Sequence, residues 1–212
     1  LKTPLSALKM YQEIIGSHTA DPESVIGFSQ KSLREIRRME AVVYTLLKLA
    51  RLDAGVIQMQ KTPENIDTLM QDVLERFEVR AEQEGKVITL SGNRDVSLSC
   101  DALWISEAVG NIVKNALDHT GSGGRINISW EQGAIITKIV IEDNGTGICP
   151  EDLYNIFKRF YRSRFSQDTQ GIGLGLPLAK TIVELHGGTI SVASRLHTGT
   201  AFTLSFFHLT NE

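Results

Sequence analysis

From Leu1 to about residue 55 the apolar positions fall three and four apart. Leu5, Leu8 and Ile15 share one stripe of a helix expected over residues 1 to about 16. "ADPES" then signals a new start, with Asp21 as cap and Pro22 at the first helical position. The next helix carries Ile36, Met39, Val43, Leu46 and Ala50 at spacings of 3, 4, 3 and 4, and it ends near Gly55. That is a heptad seam, suited to packing against a neighbouring helix. Two antiparallel helices bury little on their own, so the hairpin is expected to pair with a second copy.

The pattern changes after "QMQKTPEN", which reads as a hinge with Pro63 marking the break. A helix is expected over about 66–84, stopped by Gly85, followed by short strands at 86–91 and 96–100. Asp101 is placed to cap a helix running to about residue 120. Two strands at about 125–131 and 135–142 come next, then a Gly-rich segment over 143–175 and a helix over 176–186. The last strands lie near 188–194 and 200–207. The second module is therefore α+β, with one mostly antiparallel sheet and helices on one face.

One helix is unusual. In "EAVGNIVKNALDHT", residues 107–120, Ile112, Val113, Ala116 and Leu117 are apolar, as a core helix requires. Yet Glu107, Asn111, Asn115, Asp118 and His119 share a face, and buried polar groups need partners. Asn111 and Asn115 place two neutral oxygen donors one turn apart. They suit either a solvated helix face or a Mg²⁺ ion shared with phosphate oxygens.

Three further segments bear on that choice. In "IVIEDNGTGI", residues 139–148, strand alternation puts Ile139, Ile141 and Asp143 on one face, the side of the helix layer. A carboxylate there can accept from an exocyclic amine, and Gly145 and Gly147 let a ligand approach the backbone; a tight "DNG" turn is the plainer reading. "GIGLGL", residues 171–176, runs into a helix, the arrangement of an anion site, but it matches neither a Walker loop nor a Rossmann fingerprint. "IFKRFYRS", residues 156–163, alternates aromatic and cationic residues between two Gly-rich stretches. It suits either a mobile lid or a small surface helix.

Composition narrows the classes. The 212 residues carry 22 Lys+Arg against 25 Asp+Glu, a net charge of −3 that gives no reason to expect nucleic acid. Residues 1–65 are about +2 and the remainder about −5, which supports two modules. Cys100 and Cys149 lack metal-ligand spacing and read as reduced thiols of a cytosolic setting. No run approaches the ~20 apolar residues of a membrane span, and there is no signal peptide. The chain opens mid-pattern without Met, so a piece of a longer protein is expected.

Taken in order, N-x-x-x-N, D-x-G-x-G, F-x-x-F, G-x-G-x-G and "HTGTAF" at 197–202 resemble the ATP-binding domain of sensor histidine kinases. "LKTPL" resembles the segment after the phosphoacceptor His in that family, H-E-L-[KR]-T-P-L. "RMEAVVYTLLKLARLDAG" is similar to the second helix of its dimerisation domain. The likeness covers about residues 1–207.

The resemblance implies a dimerisation and phosphotransfer hairpin over 1–60, a four-helix bundle in the homodimer. It implies a catalytic α/β sandwich of the histidine-kinase/gyrase ATPase type over 65–209. Asn115 matches the Mg²⁺ ligand, Asn111 its helper, and Asp143 the adenine-binding aspartate. Gly145, Gly147, Gly171, Gly173 and Gly175 match lid and phosphate-loop glycines, flanked by Ile148, Leu174 and Leu176. Lys114, His119 and Tyr161 join the ATP-binding set, Thr200 lies near the adenine, and Arg159 and Arg162 match lid cations that approach the phosphates. Thr3 matches a threonine associated with dephosphorylating the regulator. The implied cofactors are ATP and Mg²⁺. The implied partner is a response regulator receiver domain, with a membrane anchor outside these residues and the catalytic part in the cytoplasm.

Three departures stand out. The phosphoacceptor His belongs two residues before Leu1, so the chain as given is expected to bind ATP without phosphorylating itself. Asp118 stands where many relatives carry a Lys that meets phosphate, and Lys114 is the candidate substitute. His197 replaces the first glycine of a G-x-G-T pattern. The alternatives weighed are a topoisomerase or chaperone ATPase, against which the hairpin argues, and a nucleotide-binding pseudokinase scaffold.

Overall fold

Asp21 starts the long helix of the hairpin as its spacing predicts. Its carboxylate accepts the Ser24 N–H at 2.9 Å and the Ser24 hydroxyl at 2.6 Å. A computed structural model of the chain describes residues 2–17, 21–163 and 171–208, with residues 2 and 3 described by backbone alone. Two compact units result, Leu1–Ala50 and Arg51–Glu212.

The first unit contains α1 (Lys2–Ile15) and most of α2 (Pro22–Asp53). Tyr11 of α1 meets Phe28 of α2 with ring centroids 5.7 Å apart. Part of the expected heptad seam lies outside the interior of the hairpin. Val42 and Leu49 are buried, together with Ser32, while Ile36 and Val43 of the expected seam are 42% and 44% exposed. The apolar face of α2 is wider than one partner helix covers. Its outer edge, Ile36, Met39, Val43 and Tyr44, forms an open groove with Leu8 of α1.

The second unit runs β1 (Thr62–Asn65), α3 (Ile66–Gln83), β2 (Val87–Gly92), β3 (Ser97–Cys100), α4 (Ala102–His119), β4 (Arg125–Gln132), β5 (Ile136–Asp143), α5 (Gly175–Leu185), β6 (Gly188–Arg195) and β7 (Gly199–Phe207). The main sheet has the order β2-β4-β5-β7-β6 and is antiparallel except between β2 and β4. A second sheet was not expected. Residues 62–65, within the stretch read as a hinge, pair antiparallel with β3, so Thr62 stands opposite Cys100 and Pro63 opposite Ser99. A two-stranded sheet is all edge, where a proline's missing N–H costs no ladder bond.

Local signals set the helix ends. Asn65 caps α3 by accepting the Thr68 N–H at 3.0 Å, and Gly85 ends it at φ +64°. Asp101 caps α4, accepting the Trp104 N–H at 3.3 Å. Helices cover one face of the main sheet. Ile126, Ile128, Ile139, Ile141, Phe202 and Leu204 from three adjacent strands are buried there, as are Met70, Val73, Ile105, Val109, Ile112, Leu178 and Ile182 from the helices. Each such side chain contributes about 1.5–3 kcal/mol by leaving water. Alternation along β5 continues to its last residue, so Thr137, Ile139, Ile141 and Asp143 all point inward. The sheet thereby delivers a carboxylate to the helix layer at the mouth of the core.

Candidate nucleotide site

The buried face of α4 consists of Ile105, Ala108, Val109, Ile112, Val113, Ala116 and Leu117. Glu107, Asn111, Asn115, Asp118 and His119 are left half-buried on the other side. Two loops close on that stripe. At one end Gly175, the first residue of α5, lies so near that a Cβ there would sit 2.9 Å from Asn111 Oδ1. At the other, the Thr146 N–H donates to the His119 carbonyl at 3.1 Å, and a Cβ on Gly145 would sit 2.4 Å from that oxygen. Asn111 and His119 are eight residues apart, about 12 Å along the helix axis. Asn115 lies midway between them on the same face. Three motifs that are far apart in sequence therefore frame one elongated strip.

The α5 end suits an anion. Its N-cap residue, Leu174, makes no side-chain capping bond. The first-turn N–H groups of a helix have no intrahelical acceptor, and the dipole adds positive potential at that end. Gly173 holds φ +71°, and a Cβ there would lie 2.3 Å from the Tyr161 carbonyl. Glycine is thus required for the loop to pack against the backbone of Phe160 and Tyr161. Asn111 donates from Nδ2 to the Glu107 carbonyl at 2.8 Å, which fixes the side chain and turns Oδ1 toward Gly175.

The β5 end suits a hydrogen-bond donor. Asp143 is buried, and its Oδ1 accepts the Gly145 N–H at 2.8 Å. Burial pushes its carboxyl above the usual carboxylate range, against the lowering effect of the Gly145 and Thr200 backbone N–H groups. No lysine or arginine pairs with it among the described residues. Thr200 stands opposite Asp143 in the β5–β7 register and is itself buried. Ser194 ties this corner together: its hydroxyl donates to the Gly199 carbonyl at 2.8 Å, lies 3.0 Å from Thr200 Oγ1 and accepts the Ile148 N–H at 2.8 Å. Sequence gave no sign of this serine, which reads as one more polar residue of a strand.

The two departures that lie within the second unit each find a partner. Asp118 accepts from Arg80 Nη2 at 2.7 Å and from Lys114 Nζ at 2.6 Å. Arg80 Nε also donates to Glu84 at 2.7 Å, Glu84 pairs with Lys86, and Lys86 Nζ donates to the Leu117 carbonyl at 2.6 Å. The negative charge on the stripe is thus offset from α3. His197 takes φ +60°, the left-handed conformation that glycine would take, and its N–H donates to the Thr146 carbonyl at 2.7 Å. The turn keeps its glycine geometry with a non-glycine residue in it.

The segment 149–160 is a run of turns rather than a helix, with three-residue backbone bonds such as Asn155 N–H to Asp152 and Lys158 N–H to Asn155, both 2.8 Å. Phe157 anchors it edge-on to Phe202 at 6.3 Å, and the Tyr161 hydroxyl donates to Asp152. Arg159 lies on Asp53, which accepts at both oxygens at 2.7 and 2.6 Å. Arg162 is exposed, Gly147 holds φ +70° against the Arg195 carbonyl, and Leu174 is buried beneath the loop while Gly171 and Leu176 are half-buried. Thr3 lies in α1, its side chain outside the described residues. Cys100 is buried, and burial pushes its thiol up to about 12.

Residues 100–211 match the family described as histidine kinase-, DNA gyrase B- and HSP90-like ATPase, slightly more than half of the chain. The chain belongs to that family. It carries an ATP-binding domain of the histidine kinase type. It is 36% identical over 197 residues to the sensor protein kinase PmrB of Pseudomonas aeruginosa, covering 92% of this chain and 41% of that protein. The chain therefore spans less than half the length of that relative. The Acinetobacter baumannii histidine kinase AdeS superposes with a TM-score of 0.81 at 23% identity, covering 100% of this chain and 97% of that one. Histidine kinase ThkA, solved in complex with the response regulator protein TrrA, gives 0.81 at 22% identity, covering 98% of this chain and 58% of that one. These two likenesses establish the fold. No helix among the described residues is long and apolar enough to cross a membrane.

Proposed function

We propose that the chain is the catalytic core of a sensor histidine kinase, which binds Mg-ATP and passes its γ-phosphoryl group to a histidine. The observation that carries the reading is the α4 strip, flanked by a helix N-terminus without a capping side chain and by a buried carboxylate that no lysine or arginine among the described residues pairs with. Asp143 accepts from the exocyclic amine of adenine, beside Thr200 and the backbone around Gly145, Gly147 and Ile148. The phosphates lie toward Gly171–Leu176, where the first-turn N–H groups of α5 donate to them. The residues present fit a hard cation shared with phosphate. Asn115 offers an amide oxygen midway along the strip, and Asn111 supports it; no cluster of three acidic, His or Cys residues stands among the described residues to hold a metal alone.

Bound Mg-ATP supplies an activated γ-phosphoryl group; the chain supplies position and charge. Arg159 and Arg162 are the lid cations for that group, and Lys114 and Tyr161 border it. The acceptor imidazole is that of the motif histidine ahead of "LKTPL". Residues 1–60 pair with a second copy, a reading supported by the exposed edge of α2 and its groove. The phosphoryl group then passes to an aspartate of a receiver domain, the class of partner with which ThkA was solved. Thr3 serves the reverse reaction on that partner. In the longer protein this core lies on the cytoplasmic side of a membrane anchor.

The test extends the chain upstream to include the motif histidine and supplies γ-labelled ATP with Mg²⁺. Acid-labile, base-stable label on that version, lost on replacing the histidine, is the expected result. Tight ATP binding with no label would overturn the kinase reading in favour of a nucleotide-binding scaffold.

A further inference from the structure

The strip on α4 is only as well defined as the placement of α5 against it. The two helices run antiparallel, with Gly175 at Asn111 and, at the far end, His186 at Asp101. Asp101 to Asn111 and Gly175 to Leu185 are each ten residue steps, about 15 Å of helix. The two spans match, so whatever fixes the far end sets the separation at the near end.

The far end is held through one imidazole. Nε2 of His186 accepts the Asp101 backbone N–H at 3.1 Å, and Nδ1 lies 2.8 Å from the Ile182 carbonyl. An amide nitrogen can only donate and a carbonyl can only accept, so the ring is neutral, with its proton on Nδ1. Asp101 is a junction. Its Oδ1 caps α4, and its Oδ2 accepts the Gln60 N–H at 3.0 Å, two residues before β1. The ring is buried. Lys61, ahead of β1, and Asp101, in the β3–α4 turn, are the charged groups that act on it, with opposite signs.

We propose that His186 is a positioning residue for nucleotide binding: as a neutral ring bridging Ile182 and Asp101, it pins α5 to the first turn of α4 and so fixes the phosphate loop against Asn111 and Asn115. The inference rests on the ATP-binding reading. A proton on Nε2 removes the acceptor that the Asp101 N–H uses and sets two donors against each other. Burial, aided by Lys61, depresses the ring below the ordinary imidazole range. The sign follows: the clip is intact above the unfolded imidazole value of 6.5 and is lost as pH falls through the depressed folded value.

The test compares wild type, His186→Gln and His186→Ala on the full chain. Glutamine places an uncharged acceptor near the Nε2 position, whereas alanine places none. At pH 7.5, His186→Ala is expected to bind a non-hydrolysable Mg-ATP analogue about tenfold more weakly, the factor set by one net hydrogen bond, and His186→Gln within about threefold of wild type. From pH 7.5 to 5, wild type is expected to lose affinity relative to His186→Gln; the ratio cancels the titration of the nucleotide itself. Hydrogen exchange at the Asp101 amide supplies a readout without nucleotide, protected in wild type and unprotected in His186→Ala. A flat wild-type to glutamine ratio, or a protected Asp101 amide in His186→Ala, would overturn the assignment. If no version binds nucleotide while the Asp101 amide behaves as expected, the ATP-binding reading fails, and the inferred role in nucleotide binding falls with it.

Discussion

Two carboxylates flank the strip on α4, and their surroundings are opposite. Asp118 is met by two cations, Arg80 and Lys114, within a chain of charges that runs through Glu84 and Lys86 to the backbone of α4. Asp143 is more deeply buried, its carboxylate accepts a backbone N–H from Gly145, and no lysine or arginine among the described residues pairs with it. A buried charge that a fold keeps for its own stability is paired. One left short of a counter-charge costs stability, and such groups gather where a ligand completes them. Asp118 thus belongs to the framework of the α3–α4 packing, and this contrast is what assigns Asp143 to the proposed site.

The comparison predicts different damage. Asp143→Asn should weaken Mg-ATP binding by about tenfold to a hundredfold, because on the proposed reading the adenine amine loses a charged acceptor. Its melting temperature should hold or rise. With the folded carboxyl raised, the native state binds more protons than the unfolded one between 3.8 and the raised value. The stability tied to this group is therefore greatest below 3.8 and is lost as pH rises, so at pH 7 asparagine removes a cost. Calorimetric titration and thermal melts at pH 5 and 7.5 read both halves. A fall in melting temperature with unchanged affinity would place Asp143 in the framework instead.

Asp118→Asn should do the reverse. The pairs it breaks are partly exposed, so the expected loss is about 1–2 kcal/mol of stability with affinity within about threefold of wild type. A denaturant titration checks the first and the same calorimetry the second. The smallest effect is expected at His197. Relieving its left-handed backbone with His197→Gly should gain about 0.5–1 kcal/mol, the strain released less the added chain entropy of glycine. An unchanged denaturation midpoint would mean that the bond from its N–H to Thr146 holds the turn at no cost.

These contrasts mark how far the sequence was readable. The stripe, the inward Asp143 and the capping by Asp21 and Asp101 follow from periodicity and local chemistry, and the chain keeps all of them. The pairing of Thr62–Asn65 with Ser97–Cys100 was hidden, because four residues that include a proline carry no strand period. The partner of Asp118 was hidden for a different reason: Arg80 lies 38 positions away, and only the packing of α3 on α4 brings it near. Ser194 and His186 likewise act through contacts that no local pattern encodes. Which positions of α2 face α1 was hidden too, because its apolar face is wider than α1 covers and leaves Ile36 and Val43 of the heptad seam exposed.

The claim that everything else rests on is that the strip from Asn111 to His119 faces Mg-ATP. Its most direct test is backbone amide spectroscopy of the full chain titrated with Mg²⁺ and a non-hydrolysable ATP analogue. The account predicts shifts concentrated at Asn111, Asn115, His119, Asp143–Ile148 and Gly171–Leu176, with Arg80, Glu84 and Lys86 nearly still. Saturable shifts centred on any other surface, or none at millimolar nucleotide, would contradict it.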